Sequence, residues 1–244
     1  MVTVVCCYNN EECLKKMLLP SLDRQKQEVQ RILIDNNQKK YVSAAMAYNK
    51  EVIKAQGNII IFCHQDIAFD DENFIDDIEK VFQKNPNIIL GTAGIKKDGF
   101  VYSQLKYYTT KEYITQKRLN EKLEEVESVD ECFFAIKREN LMKLMFDEVV
   151  CDNWHLYAVE LCYRAKHTDL KLKSMVTSIQ TYHKMMPGTG LEVDEKYIKT
   201  MNKVCKKYAD LEGVIYAPCY IVATGFPKKQ IKLLKTKLKT LVKK

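Results

Sequence analysis

NIIIFCHQDIAFD, residues Asn58 to Asp70, joins an apolar half to a polar half without a spacer. The run Ile59-Ile60-Ile61-Phe62-Cys63 is continuous, rich in β-branched residues and preceded by Gly57. Such a run reads as a strand buried on both faces. It stops abruptly at His64-Gln65-Asp66, three side chains that can ligate a metal or hydrogen-bond a sugar. Open α/β sheets place their ligand crevice where buried strands deliver polar groups at their carboxyl ends. The plainer alternative is a strand followed by a polar turn.

On either side of this stretch the chain alternates. Val2 to Cys7 reads as a strand with Tyr8-Asn9-Asn10 as its turn. Glu11 to Glu28 reads as a helix interrupted near Pro20, and Gln30 to Ile34 as a second strand ending in Asp35-Asn36-Asn37. Val42 to Gln56 and Asp70 to Gln83 read as helices, the latter with Asp71 and Glu72 against its amino-terminal dipole. Asn87 to Gly94 gives a further strand. Alternation with short connections predicts an α/β fold, a mostly parallel sheet covered by helices. The polar clusters at the ends of the first three strands then converge on one crevice. A tyrosine ring, amides and carboxylates suit the base and ribose of a nucleotide. No G-x-G-x-x-G follows the first strand and no G-K-[ST] loop occurs, which sets aside dinucleotide and P-loop modes. A phosphate pair held without a glycine loop calls for a divalent cation, with Asp66 as its carboxylate.

Composition narrows the class. The chain has 244 residues, 46% hydrophobic and 29% charged, ordinary values for a globular protein. No apolar run approaches the roughly 18 residues of a membrane span. The chain opens on strand-like sequence rather than a signal peptide. Nine cysteines at irregular spacings, with no C-x-x-C pair, fit reduced thiols in a cytoplasmic protein. The net charge of +7 is concentrated at one end, because Lys228 to Lys244 hold eight lysines and no acid. The remainder carries 31 basic against 32 acidic residues, so no nucleic-acid-binding surface is expected. Ile231, Leu234, Leu238 and Leu241 recur at helical spacing among those lysines. The tail therefore reads as a basic amphipathic helix, on an anionic membrane surface or packed on its own domain.

The succession VVCCYNN (4–10), LIDNN (33–37), AAMAYNKEVIKAQGNIIIFCHQD (44–66), IILGTAG (88–94) and VDECFFAIKR (129–138) resembles glycosyltransferases of the GT-A fold. It is most similar to glycosyltransferase family 2, in a variant whose central strand ends in H-Q-D, over roughly residues 2 to 185. The resemblance implies a single GT-A-type domain over 1–225, with a nucleotide-binding half (1–100), an acceptor half (101–225) and a tail (226–244). It places Asp66 as the acid holding Mn²⁺ or Mg²⁺ on a nucleotide-sugar diphosphate, with His64 where the first acid of a D-x-D motif would stand. It gives the base and ribose to Tyr8, Asn9, Asp35, Asn36 and Gln65, and puts Asn49 on the helix beneath the nucleotide. His183, after the strand-like run Met175 to Tyr182, matches a histidine that binds metal or diphosphate in many such enzymes. Imidazole with carboxylate suits Mn²⁺ better than Mg²⁺. Residues 185–190 after it read as a lid or a plain surface loop.

The acceptor half departs from the family. In Asp152-Asn153-Trp154-His155-Leu156-Tyr157-Ala158-Val159-Glu160-Leu161-Cys162, matching Glu160-Leu161-Cys162 to the family puts Ala158 where the base aspartate belongs. Three groups are candidates for that role: His155, whose ordinary pKa is about 6.5, Asp152 and Glu160. If the run is helical, Asp152 and His155 share a face, while Glu160 points elsewhere and orients a neighbour. An ordinary core histidine among core aromatics is the alternative. Asp130 and Glu131, with Trp154 and His64, are candidates for binding the donor sugar or acceptor; a polar strand entrance is the other reading of the acidic pair. His167 reads as a surface residue.

The function expected is metal-dependent, inverting transfer of a sugar from a nucleotide-sugar donor to a hydroxyl of a glycan or lipid-linked oligosaccharide. The expected setting is surface polysaccharide assembly in the cytoplasm, on the inner membrane face. Two rivals stand: a nucleotidyltransferase, which generally carries an early glycine-rich basic loop that CCYNNEE lacks, and a non-catalytic nucleotide-sugar-binding protein, favoured by Ala158.

Overall fold

A computed structural model describes residues 1–115, 117–184, 193–224 and 234–235. Its elements run β1 (Val2–Tyr8), α1 (Glu11–Lys16), α2 (Leu18–Asp23), β2 (Val29–Asp35), α3 (Ala44–Val52), β3 (Ile59–Cys63), β4 (Ile67–Ala68), α4 (Phe74–Lys84), β5 (Ile88–Gly91), β6 (Ala93–Ile95), β7 (Val101–Ser103) and β8 (Lys106–Tyr107). There follow β9 (Leu123–Val126), β10 (Ser128–Val129), β11 (Phe133–Lys137), α5 (Arg138–Leu144), α6 (Tyr157–His167), β12 (Lys173–Thr177), β13 (Tyr182–His183), α7 (Glu195–Lys207), β14 (Val214–Tyr216), β15 (Tyr220–Ala223) and β16 (Leu234–Lys235).

Seven strands form the main sheet in the order β2-β1-β3-β11-β5-β12-β9. β1 pairs in parallel with β2 and β3, and β5 with β12, but β11 runs antiparallel between β3 and β5 and β9 antiparallel to β12. The sheet is thus mixed rather than simply mostly parallel. β3 is buried along its whole length, as its unbroken apolar run requires, whereas the edge strand β2 alternates buried and exposed positions. One core joins Val5, Ile60, Phe62 and Phe134 to α3, α5, α6 and α7. The other joins Val4, Cys6, Ile61 and Phe133 to α1, α2 and α4. Chain order takes β2 to one side of β1 and then β3 to the other. This reversal splits the connecting helices to opposite faces and opens a crevice at the carboxyl end of β1. None of the nine cysteines is joined in a disulfide. No helix among the described residues is long and apolar enough to cross a membrane.

Local chemistry moves several expected boundaries. The first helix breaks at Met17, not at Pro20. Pro20 lies in the first turn of α2, where its missing N–H is one of the donors a helix leaves unused anyway. The helix at Asp70 begins instead at Phe74; Asp71 precedes it and accepts from Asn73 N, while Asp76 and Asp77 occupy the first turn. The run 87–94 divides into β5 and β6, which belong to different sheets. The tail expected to be helical lies outside the described residues, except that Leu234–Lys235 form a short strand beside β15. The loop 185–190 also lies outside them.

Candidate active site

The crevice holds about 720 Å³ and is lined by Cys7, Tyr8, Asn9, Asn36, Asn37, Lys39, Tyr41, Val42, Tyr48, His64, Gln65, Asp66, Trp154, Tyr157 and Lys196. That volume lies within the range of small-molecule sites. Its floor is made by the ends of the three strands that the topology brings together. Gln65 fastens two of them: its Oε1 accepts from Asn9 N (3.0 Å) and Asn10 N (2.9 Å), and its Nε2 donates to Asn9 Oδ1 (2.9 Å). Asn36 is held in a reciprocal pair with the Tyr41 backbone, at 2.8 and 3.2 Å. Asp35 is exposed and accepts from the backbone and side chain of Asn37, both at 2.8 Å. Gln65 and Asn36 therefore hold the crevice in shape.

His64, Asp66 and His183 each offer a ligand atom, and these atoms lie within 4.8 Å of one another. Their meeting has a structural cause. β13 pairs antiparallel with β4 so that His183 stands opposite Ile67, immediately after Asp66. His183 Nε2 is 3.2 Å from Asp66 Oδ2, and Lys184 N donates to Asp66 O. Burial pushes the Asp66 carboxyl up, but the His183 hydrogen bond and the histidine charges outweigh it and hold the pKa at about 2. Burial lowers His183, yet the bond and charge of Asp66 leave its pKa raised overall. For His64 burial prevails and its pKa is lowered. The second oxygen of Asp66, Oδ1, is buried and has no hydrogen-bond partner among the described residues. An oxygen left this way costs free energy unless something binds it. With two imidazoles beside it, the donor set fits a divalent transition metal. His64, expected at the sugar, thus belongs to the same cluster as Asp66 and His183.

His64 is braced from behind. Its Nε2 lies 3.2 Å from the Tyr157 hydroxyl, which donates to the backbone carbonyl of Glu131 (3.4 Å), and its backbone N–H donates to Cys132 O. Asp130 Oδ1 accepts from Cys132 N at 2.9 Å. Glu131 reaches the amino end of α6, facing the backbone N–H groups of Leu156, Tyr157 and Ala158, and its Oε1 is buried with no hydrogen-bond partner among the described residues. Trp154 lines the crevice as expected of a substrate contact; Lys39, Tyr41, Tyr48, Tyr157 and Lys196 line it too and were not expected. Lys39 follows the Asp35-Asn36-Asn37 cluster closely enough to have been included, but nothing in the sequence near Lys196 connects it to a site 130 residues earlier.

The run from Asp152 is not helical before Tyr157, because Leu156 adopts a left-handed conformation (φ 65°). Asp152 and His155 do not share a helix face. Asp152 pairs with Lys203 (2.7 Å), and His155 Nε2 lies 3.6 Å from Asp194 with its ring against Tyr197. Neither lines the crevice. Glu160 is fully buried, and Arg164 (2.9 Å), Lys207 (2.6 Å) and the Tyr208 hydroxyl (3.0 Å) occupy its oxygens. Its carboxylate is consumed in the core and is not available to a substrate. Asn49 likewise serves the fold: it binds Phe146 N and O and Glu148, tying α3 to the segment after α5. His167 is not simply solvated, since its Nε2 lies 2.8 Å from Glu212 Oε1.

A family model described as a glycosyltransferase like family matches residues 3–208. Among solved structures, S. aureus TarS 1-349 in complex with UDP-GlcNAc aligns with a TM-score of 0.59 at 14% identity, covering 86% of this chain and 67% of that one. A mannosyltransferase from Pyrobaculum calidifontis in complex with GDP-Man and Mn²⁺ aligns at 0.54 and 12%, covering 86% and 63%. GalNAc-T7 with UDP, GalNAc and Mn²⁺ aligns at 0.59 and 11%, covering 86% and 47%. At these identities the likeness is one of fold, and this chain spans two thirds or less of the length of these structures. No curated protein matches the chain.

Proposed function

This chain belongs to the glycosyltransferase like family whose model spans residues 3–208, and from that membership we infer that it moves a sugar from a nucleotide-sugar donor to a hydroxyl of a glycan or lipid-linked acceptor. The observation that carries this reading is the meeting of His64, Asp66 and His183 within 4.8 Å, with Asp66 Oδ1 buried and unpartnered, at the edge of a nucleotide-sized crevice.

Tyr8 and Tyr41 offer ring faces for a base, and Asp35, exposed and next in sequence to the crevice-lining Asn36, offers a carboxylate for ribose hydroxyls. Lys39 and Lys196 add positive charge along the path of a diphosphate. A divalent cation held by Asp66, His183 and His64 would neutralise the diphosphate as negative charge gathers on the leaving group. Trp154 and Tyr157 border the space left for the sugar, where an aromatic face packs against the apolar side of a pyranose. Transfer proceeds with inversion in this reading, by direct attack of the acceptor hydroxyl. The eight lysines of residues 228–244 hold the enzyme on an anionic membrane face, where a lipid-linked acceptor is presented.

Ala158 favours a second reading, a nucleotide-sugar-binding protein without turnover. Release of nucleoside diphosphate from UDP-GlcNAc, UDP-GalNAc or GDP-mannose, with Mn²⁺ and with EDTA, tests both. Metal-dependent release supports transfer; binding without release supports the second reading; neither binding nor release with any donor removes both.

A further inference from the structure

We propose that Glu131 is the general base of the transfer, supplying from the segment between β10 and β11 the carboxylate that α6 lacks at Ala158. This rests on the transferase reading above. α6 begins at Tyr157, so the side chain of residue 158 leaves the first turn of the helix. Alanine there has no group that can take a proton. Glu131 faces the backbone N–H groups of Leu156, Tyr157 and Ala158, so its carboxyl group lies at the same helix terminus from which a longer side chain at 158 would project.

Glu131 is not among the residues lining the crevice but adjoins it through Tyr157, which is, and further features fit a base. Oε1 is buried and has no hydrogen-bond partner among the described residues, whereas the oxygens of Glu160 are taken by Arg164, Lys207 and Tyr208. The Tyr197 hydroxyl is also buried and unpartnered. It lies within electrostatic reach of Glu131, so the two groups share one region. The Glu131 backbone carbonyl accepts from the Tyr157 hydroxyl, which contacts His64, so Glu131 stands two contacts from the candidate metal site. Burial, then the charge of Asp130, push the Glu131 carboxyl well above the usual carboxylate range against the pull of the helix amides, the direction that strengthens a base.

The step balances as follows. The acceptor oxygen forms a bond to the anomeric carbon. The bond from that carbon to the diphosphate breaks, its electron pair leaving with the nucleoside diphosphate. The acceptor proton passes to Glu131.

The test uses the full chain with Mn²⁺ and UDP-GlcNAc, UDP-GalNAc or GDP-mannose, water serving as acceptor. Glu131→Gln should lower nucleoside diphosphate release by at least about 100-fold while the affinity for UDP or GDP with Mn²⁺ stays within about twofold. Adding Ala158→Asp to Glu131→Gln should recover at least about a tenth of the lost rate, which a merely structural glutamate would not allow. If Glu131→Gln does not fold, Glu131→Asp replaces it, and a drop of at least about tenfold at unchanged nucleotide affinity is expected. Release by either variant within about threefold of wild type, or a loss of nucleotide affinity equal to the loss of rate, overturns the proposal. A wild type that binds a donor but never releases diphosphate also overturns it, since a base at the reacting carbon would deprotonate water. A wild type that binds none of the donors sinks the transferase reading itself.

Discussion

Asp66 and Glu160 are both acids beside nitrogen donors, yet their free oxygens separate them. Glu160 sits fully buried with Arg164, Lys207 and Tyr208 around it. Glu160→Gln should destabilise the protein by about 3 kcal/mol, because it leaves buried cations without their counter-charge. Urea unfolding measures this, and nucleotide affinity at temperatures below unfolding should not change. Asp66 keeps one oxygen unused, and its other partner titrates. His183, raised by Asp66, contributes stability that is present below about pH 6.5 and is lost as pH rises through its higher folded value. Asp66, held at about 2, contributes stability present above about pH 3.9 and lost as pH falls toward 2. In metal-free protein the gap in Tm between wild type and His183→Gln should therefore be widest between about pH 4 and 6.5 and should shrink in alkali. At this scale the sequence pointed to His64-Gln65-Asp66 because a buried strand ended on it, and to His183 only through the family resemblance. The use made of Glu160 was hidden, since Lys207 lies 47 residues away and Tyr208 beyond it.

Elements obey local chemistry where the sequence prints it and tertiary pairing where it does not. Ser43 caps α3, its side chain accepting from Met46 N. Ser43→Ala should cost about 1 kcal/mol. Gly57 is required by contact: a Cβ there would lie 2.5 Å from Thr3 N, between β3 and β1. Gly57→Ala should cost more, about 2–3 kcal/mol by overpacking, and denaturant midpoints of the two variants give the comparison. Alternation of strands and helices made β1, β2, β3 and β5 readable. The division of 87–94 into β5 and β6 was not, because an apolar run does not say which sheet takes each half. A Cβ at Gly91 would meet Val129 Cβ at 2.7 Å, a crowding that only the folded chain creates. The helix on which a shared face for Asp152 and His155 depended is not formed for a similar reason: Asn153 Oδ1 accepts from His155 N, and Leu156 turns left-handed, neither visible in residue spacing.

For the whole molecule, the reversal of strand order about β1 explains why three strand ends meet in one crevice while the second half of the chain closes its other side through Trp154, Tyr157 and Lys196. Charge is distributed at this scale too, with a nearly neutral body and a strongly basic tail. Substituting Lys228, Lys229, Lys243 and Lys244 by Gln should weaken binding to phosphatidylserine-containing vesicles at least about tenfold at low salt, read by co-sedimentation. Vesicles of phosphatidylcholine alone should bind neither form. The crevice itself is tested by calorimetric titration of wild type and Asp66→Ala with UDP and GDP sugars, with and without Mn²⁺. The structure predicts micromolar binding of at least one donor that requires Mn²⁺ in wild type and is lost in Asp66→Ala. Equal binding by both proteins, with or without the ion, would contradict a metal-assisted nucleotide-sugar site at His64, Asp66 and His183.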